Sequence, residues 1–269
     1  MQRMFNLLDY PPLILAVALP VFWLSASIGA RLRDNAYNPQ PGDRDDLKFV
    51  LGAALTLLGL IVGFSFQIAL SSYDRRNILE AQEANAIGTE YARTNLLSPA
   101  DAVIVRGLLK NYIDQRISNY TSRNAQRVRQ ITAQTAQLQT EMWSAVAASA
   151  VAQPSALTAL VVSGMDNVLD SEGFAQAAWR HHIPLAAWGL LFAISIFCNL
   201  LVGRAAQGRG GGFVFLILPV ALSISLFLIA EIDSPRAGTI RVDPQNLENL
   251  AHSLHSQYEA GQPHSDWIR

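Results

Sequence analysis

Thr56, Leu60 and Phe64 recur every fourth residue inside "LGAALTLLGLIVGFSFQIAL" (residues 51–70), so a helix places all three on one face. Gly52, Gly59 and Gly63 lie close by and permit tight contact with a neighbour. Ordinary packing of a membrane helix explains that spacing. So does a pore-lining stripe: repeated around an axis, it would form an apolar constriction that excludes water and thereby controls ions. Tyr73, Asp74, Arg75 and Arg76 follow the apolar run directly. They suit a snorkelling anchor at a membrane–water boundary, and in several copies they would also set the potential at a pore mouth. Elsewhere the chemistry is thin. In "RHHIP" (180–184) the adjacent His181 and His182 point to different helix faces, which fits an interfacial anchor and not a metal pair. "GRGGG" (208–212) lacks the Gly-Lys-Ser/Thr ending of a phosphate loop and is read as a tight turn. No Ser/His/Asp or Cys/His set is placed for catalysis. The carboxylates of the central segment are spread over helix faces, as a solvated surface would have them. No enzyme, cofactor or metal site is expected.

The elements that position these residues are membrane helices. The chain has 269 residues, 51% hydrophobic and 15% charged, with a mean hydropathy of +0.21, where a soluble domain carries about 25% charged residues. A net charge of −1 gives no reason to expect nucleic acid. Cys198, the single cysteine, lies in an apolar run, so no intrachain disulfide can form. Four apolar runs are long enough to span a hydrocarbon core, which takes roughly 20 helical residues. They are about Pro12–Ala30, Phe49–Leu70, Pro184–Gly203 and Phe213–Ala230, and none contains a charged side chain. Trp23, Trp179 and Trp188 sit near run ends, where amphipathic rings prefer to lie. The first run also has the look of a secretory signal, with Arg3 before it and "SASIGA" within it.

Four spans put both termini and residues 71–183 on one side. Arg3, Arg75, Arg76, Arg180, Arg236 and Arg241 fall on that side; Arg31, Arg33, Arg44, Lys48, Arg204 and Arg209 fall on the other. The counts tie, so the charge rule does not set the orientation. In-span polar groups are few. Thr56, Ser65 and Gln67 are those of the second span, and no span holds an ionisable group of the kind proton-coupled carriers use, which favours passive conduction.

The central segment predicts helices only. One continues from the second span through Leu97. Ser98, Pro99 and Asp101 cap and start the next, about Pro99–Tyr120, with Val105, Leu109, Tyr112, Arg116 and Tyr120 on one face. "TSRNAQRVRQ" is a turn or a solvated helix start. A third helix covers roughly Gln126–Val151, Pro154 interrupts, and a fourth covers about Ser155–His182. Asp243 and Pro244 begin an amphipathic tail helix with Leu247, Leu250 and Leu254; Trp267 could anchor the end. The central helices are rich in alanine and poor in large aliphatic residues, so a lone copy buries little area and sister chains would complete the packing. The expected division is a first membrane hairpin (1–70), a helical region (71–183), a second hairpin (184–233) and a tail (234–269).

Three stretches taken in order resemble the bestrophins, most closely the bacterial bestrophin-like family. "LLGLIVGFSFQIALSSYDRRNILEAQEANAIGTEY" is similar to the glycine–phenylalanine pore helix and the charged boundary after it. "RHHIPLAAW" is similar to the Ile-Pro entry into the third span, and "EIDSPRAGTIRVDPQNL" to the segment after the last span, although here two residues separate Pro235 from Gly238. The resemblance implies an all-α membrane protein with four transmembrane helices and a helical cytosolic bundle. It implies a homopentamer in the bacterial inner membrane, with cytoplasmic termini, a retained first span, and an axial pore for small inorganic ions, anions ahead of cations. In that family the neck is lined by apolar residues of the second span. The matching positions are Phe64, which matches directly; Leu60, where an aromatic is common; and Thr56, which replaces an apolar residue, implying a wider or wetter neck. Asp74, Arg75 and Arg76 would charge the pore mouth. Eukaryotic members hold calcium through an acidic cluster; "SPRAGTIRVDPQ" has Arg236 and Arg241 instead, so that clasp is not expected. The alternative function is a non-conducting membrane scaffold or sensor whose cytosolic helices bind a partner protein.

Overall fold

A computed structural model describes residues 10–34, 41–205, 214–236 and 238–260. Eight α-helices are described: α1 (Pro11–Asp34), α2 (Pro41–Arg93), α3 (Pro99–Thr121), α4 (Ala125–Ala152), α5 (Ala156–Arg180), α6 (Leu185–Ala205), α7 (Val214–Asp233) and α8 (Gln245–Ala260). No strand occurs among the described residues. Four stretches are long and apolar enough to cross a membrane, and the four apolar runs of the sequence lie in α1, α2, α6 and α7. The "GRGGG" turn and Trp267 lie outside the described residues.

α2 runs unbroken for 53 residues, about 80 Å at 1.5 Å per residue. The hydrocarbon core takes only about 30 Å of that, so the helix continues well past its apolar run. Nothing in "SSYDRRNILEAQEANAIGTEYAR" stops it, because alanine, glutamate, glutamine and arginine all favour the helix. It gives way at Arg93 to a 3-10 turn, Thr94–Leu96, a few residues before the sequence expectation. Pro99 and the extended Leu97 end the helical path, while Thr94 Oγ1 donates to the Tyr91 carbonyl at 2.6 Å and Asn95 Nδ2 to that of Ala92 at 3.0 Å, satisfying terminal acceptors. Ser98 caps α3 as expected, its Oγ accepting from Asp101 N at 3.2 Å. Asn124 Oδ1 accepts from Gln126 N and Arg127 N, so "TSRN" is a turn and α4 starts behind it. Ser155 and Thr158 cap α5 reciprocally, each backbone N–H bonded to the other's hydroxyl.

The chain divides into two compact units, Met1–Tyr73 with His181–Arg241, and Asp74–Arg180 with Val242–Arg269. The first holds α1, the apolar part of α2, α6 and α7. Its core includes Ile14, Ala18, Phe22, Leu58, Trp188, Leu191, Leu226 and Ile229. The α1–α6 crossing is set by two reciprocal glycines. A Cβ on Gly29 would stand 2.0 Å from the Leu200 carbonyl oxygen, and one on Gly203 would stand 2.0 Å from that of Ala26. In lipid, where burial supplies no drive between helices, such backbone approach is what packing gains from. Ser25, Asn199 and Ser223 each donate to the carbonyl four residues earlier, while Ser195 Oγ and Asn199 Oδ1 are buried with no hydrogen-bond partner among the described residues.

The second unit is built on the polar half of α2 with α3, α4, α5 and α8. The α3 face expected from the sequence is the buried one, including Val105, Leu109, Tyr112, Arg116 and Tyr120. Leu247, Ala251 and Leu254 bury the inner face of α8.

Candidate functional site

Along the apolar part of α2, two faces have opposite fates. Leu58, Ser65 and Ala69 are buried in the first unit. Thr56, Leu60 and Phe64 point away from it; Leu60 is 52% and Phe64 61% exposed, and Thr56 Oγ1 donates to the Gly52 carbonyl at 2.9 Å. A Cβ on Gly52, Gly59 or Gly63 would meet no atom within 4 Å. The glycines therefore serve no contact among the described residues, and the stripe they flank is left bare by those residues.

The same face of α2 stays exposed beyond the apolar run, at three- and four-residue spacing, through Gln67, Ser71, Asp74, Ile78, Gln82, Asn85 and Thr89. Along it the residue types change from mainly apolar to mainly polar, with Asp74 charged and Ile78 apolar among them. The charged trio after the span is split. Asp74 and Arg75 are exposed, whereas Arg76 is 1% exposed and its Nε donates to the Ala178 carbonyl of α5 at 3.4 Å.

The opposite face of α2 corrects one expectation. Glu80, Glu83 and Glu90 are not on a solvated surface; all three are buried. Their spacing, with Ile87 between, is that of one inward face, and each meets a different neighbour. Glu83 binds Arg116 of α3 through both carboxylate oxygens, by a close Nε–Oε1 pair and by Nη2–Oε2 at 3.2 Å. Tyr120 Oη donates to Glu83 Oε2 at 3.2 Å, and Arg116 Nη1 reaches Glu172 Oε1 at 3.3 Å. Burial and then the Glu83 charge push the Tyr120 phenol above its ordinary range. Glu80 caps α8: its Oε1 accepts from Leu247 N at 2.9 Å and its Oε2 from Asn246 Nδ2 at 2.6 Å. Among the described residues Glu90 has no hydrogen-bond partner for either oxygen; Arg93 Nη1 stands 3.9 Å away. The signal for this row was available: Glu80, Glu83 and Ile87 continue the period that carries Leu79 and Arg76 inward.

Two motifs 50 residues apart in sequence meet in the first unit. Both carboxylate oxygens of Asp233 accept from Ile183 N, at 3.1 and 3.3 Å, and His182 Nδ1 lies 3.0 Å from the Asp233 carbonyl oxygen. Glu231 Oε2 accepts from Thr239 N at 2.5 Å and Thr239 Oγ1 at 2.8 Å. A Cβ on Gly238 would stand 2.4 Å from the Glu231 carbonyl oxygen, so the loop after α7 closes only over glycine. The acidic residues here bind backbone and hydroxyl groups. Among the described residues no cluster of three or more histidines, cysteines or carboxylates could hold a metal ion.

Comparison with known proteins agrees with this architecture. Two crystal structures of a bacterial bestrophin homologue from Klebsiella pneumoniae, each carrying one threonine substitution, share the fold. One superposes with a TM-score of 0.63 at 14% identity, covering 92% of this chain and 99% of the other. The second gives 0.60 at 13% identity, covering 91% and 98%. No curated protein matches. The sequence profile of the bestrophin-like domain matches residues 13–247, which takes in all four apolar helices and the polar bundle, and the chain belongs to that bestrophin-like family.

Proposed function

We propose that the protein is a passive ion channel of bestrophin type, a homopentamer whose pore is lined by the exposed stripe of α2. The observation that carries this is the bare face of Thr56, Leu60 and Phe64, flanked by glycines that touch nothing among the described residues. No charged side chain lies in that part of the helix, so one copy makes no conduit. A ring of copies would enclose a water column, with Leu60 and Phe64 narrowing it by dewetting and Thr56 adding a weakly polar collar. Closed rings are the usual outcome of a head-to-tail contact. Asp74 and Arg75 charge the mouth, and Arg76 pins α2 to α5 through Ala178. The membrane is the bacterial inner membrane, with termini and polar bundle in the cytoplasm, and anions pass ahead of cations.

The test is mass and flux together. Purified protein should run as a five-fold oligomer in detergent, and liposomes holding it should pass small ions. Flux should rise in Leu60→Ala and in Phe64→Ala, because shortening either side chain widens an apolar constriction. A monomer or dimer with silent vesicles would favour the second reading, a membrane scaffold whose helical bundle binds a partner protein. The exposed Ile78, Val103, Ile104 and Phe174 of that bundle support the scaffold.

A further inference from the structure

We propose that Glu90 is a proton-operated latch between α2 and α5: with its carboxyl protonated α5 closes over it, and with the carboxyl ionised α5 is released. The inference concerns the polar bundle alone and holds whether or not the protein conducts.

The geometry is that of a slot built for a neutral group. Glu90 is 0% exposed, and both its oxygens are buried without a hydrogen-bond partner among the described residues. α5 passes so close that a Cβ on Gly164 would stand 1.8 Å from Glu90 Oε2 and 2.4 Å from Arg93 Nη1. A glycine in the middle of a helix costs stability, and here its missing Cβ leaves room for the carboxyl. Val161, Met165 and Val168, on the same face of α5 as Gly164, are apolar and fully buried. Few charges oppose the arrangement. Arg93, on α2 itself, stands 3.9 Å away and divides its guanidinium with the Leu160 carbonyl of α5 at 3.4 Å. On α5, Asp166 and Asp170 are exposed. On α3, Arg106 is bonded to Thr94 and Asn95, and Lys110 lies within reach of Arg106. On α8, where Leu250 packs near Gly88, His252 and His255 are exposed and His255 faces Asp114.

Burial pushes the Glu90 carboxyl up to about 8, against the pull of Arg93. In sequence Glu90 follows the apolar run Phe49–Leu70 by some twenty residues. The sign is as follows. Closed, Glu90 holds its proton up to about pH 8; opened into water, it loses it above about 4.3. The open state therefore gains by rising pH across that window, roughly tenfold in the opening equilibrium for each pH unit, levelling off above about 8. A change from pH 6 to 8 should open the latch on the order of 50-fold more often.

Amide hydrogen exchange of the full chain in detergent, corrected for intrinsic exchange, reads that opening in α5 residues 160–168. Wild type should show the rise, and Glu90→Gln, which fills the slot without ionising, should be flat over the same range. Infrared difference spectra should show a protonated-carboxyl C=O band that titrates away near pH 8 and is missing from Glu90→Gln. If that variant does not fold, Arg93→Gln decides: with the nearby cation removed, the titration midpoint of the band should move upward. Equal pH slopes in wild type and Glu90→Gln, no such band at pH 6, or an unmoved midpoint in Arg93→Gln would each overturn the latch.

Discussion

Substituting Arg116 by methionine should uncover how strongly the buried row on α2 holds the bundle. Arg116 is 4% exposed and Glu83 is 0% exposed, so neither charge is solvated. Methionine retains much of the stem volume and removes the guanidinium. Glu83 then keeps only the Tyr120 hydroxyl among its described partners, with Glu172 nearby. An unpaired buried carboxylate costs about 3–5 kcal/mol. Protonation offers a cheaper escape: keeping neutral at pH 7 a glutamate that titrates near 4.3 in water costs about 1.36 kcal/mol per unit, or roughly 3.7 kcal/mol. At pH 5 the same route costs about 1 kcal/mol. The penalty of the variant therefore grows as pH rises above about 4.3. Denaturant unfolding in detergent should show Arg116→Met less stable than wild type by about 3–4 kcal/mol at pH 7 and about 1 kcal/mol at pH 5. Adding Glu83→Gln should restore most of the loss at pH 7, because no charge is then left behind. An equal gap at both pH values, or no recovery in the double variant, would mean that packing and not the ion pair accounts for Arg116.

The remaining predictions follow from single contacts. Gly203→Val should lower stability by about 1–3 kcal/mol or more, or prevent accumulation, since its Cβ would strike the Ala26 carbonyl; Gly189→Ala, on the same helix with open space at its Cβ, should be neutral or stabilising by up to about 1 kcal/mol. Thermal unfolding in detergent separates the two. Glu80→Ala removes the acceptor of Leu247 N and Asn246 Nδ2, so limited proteolysis should cut the C-terminal segment around α8 much faster than in wild type while the remaining helices stay protected. Flux through Leu60→Ala and Phe64→Ala vesicles, together with the pH slope of Glu90→Gln, completes the set.

Much of the fold was legible because its signals are local. Apolar runs of about twenty residues announced the membrane helices, and Ser98 with Pro99 and Asp101 announced the start of α3 by backbone chemistry within one turn. The inward face of α3 was likewise readable, since Val105, Leu109, Tyr112, Arg116 and Tyr120 share a period of about four. The buried glutamates were not read correctly. A charge on a helix is ordinarily solvated, and only partners distant in sequence overrule that: Arg116 is 33 residues from Glu83 and Leu247 is 167 from Glu80. The trio of Asp74, Arg75 and Arg76 shows the same limit. Three adjacent charges look alike in sequence, yet one helix rotation of about 100° per residue leaves Asp74 and Arg75 outside and turns Arg76 onto the Ala178 carbonyl.

By itself the sequence determined the helical class, the apolar runs and the unbroken passage of α2 from its apolar run into its polar part, because each depends on residue type and spacing along one chain. Tertiary structure decided which face of α2 is used inside the protomer and which is left bare, because that depends on what packs against it. It also joined Asp233 to Ile183 and slid Gly164 over Glu90. Those pairings exist only when separate helices come together, where desolvation makes the presence or absence of a partner the dominant energy.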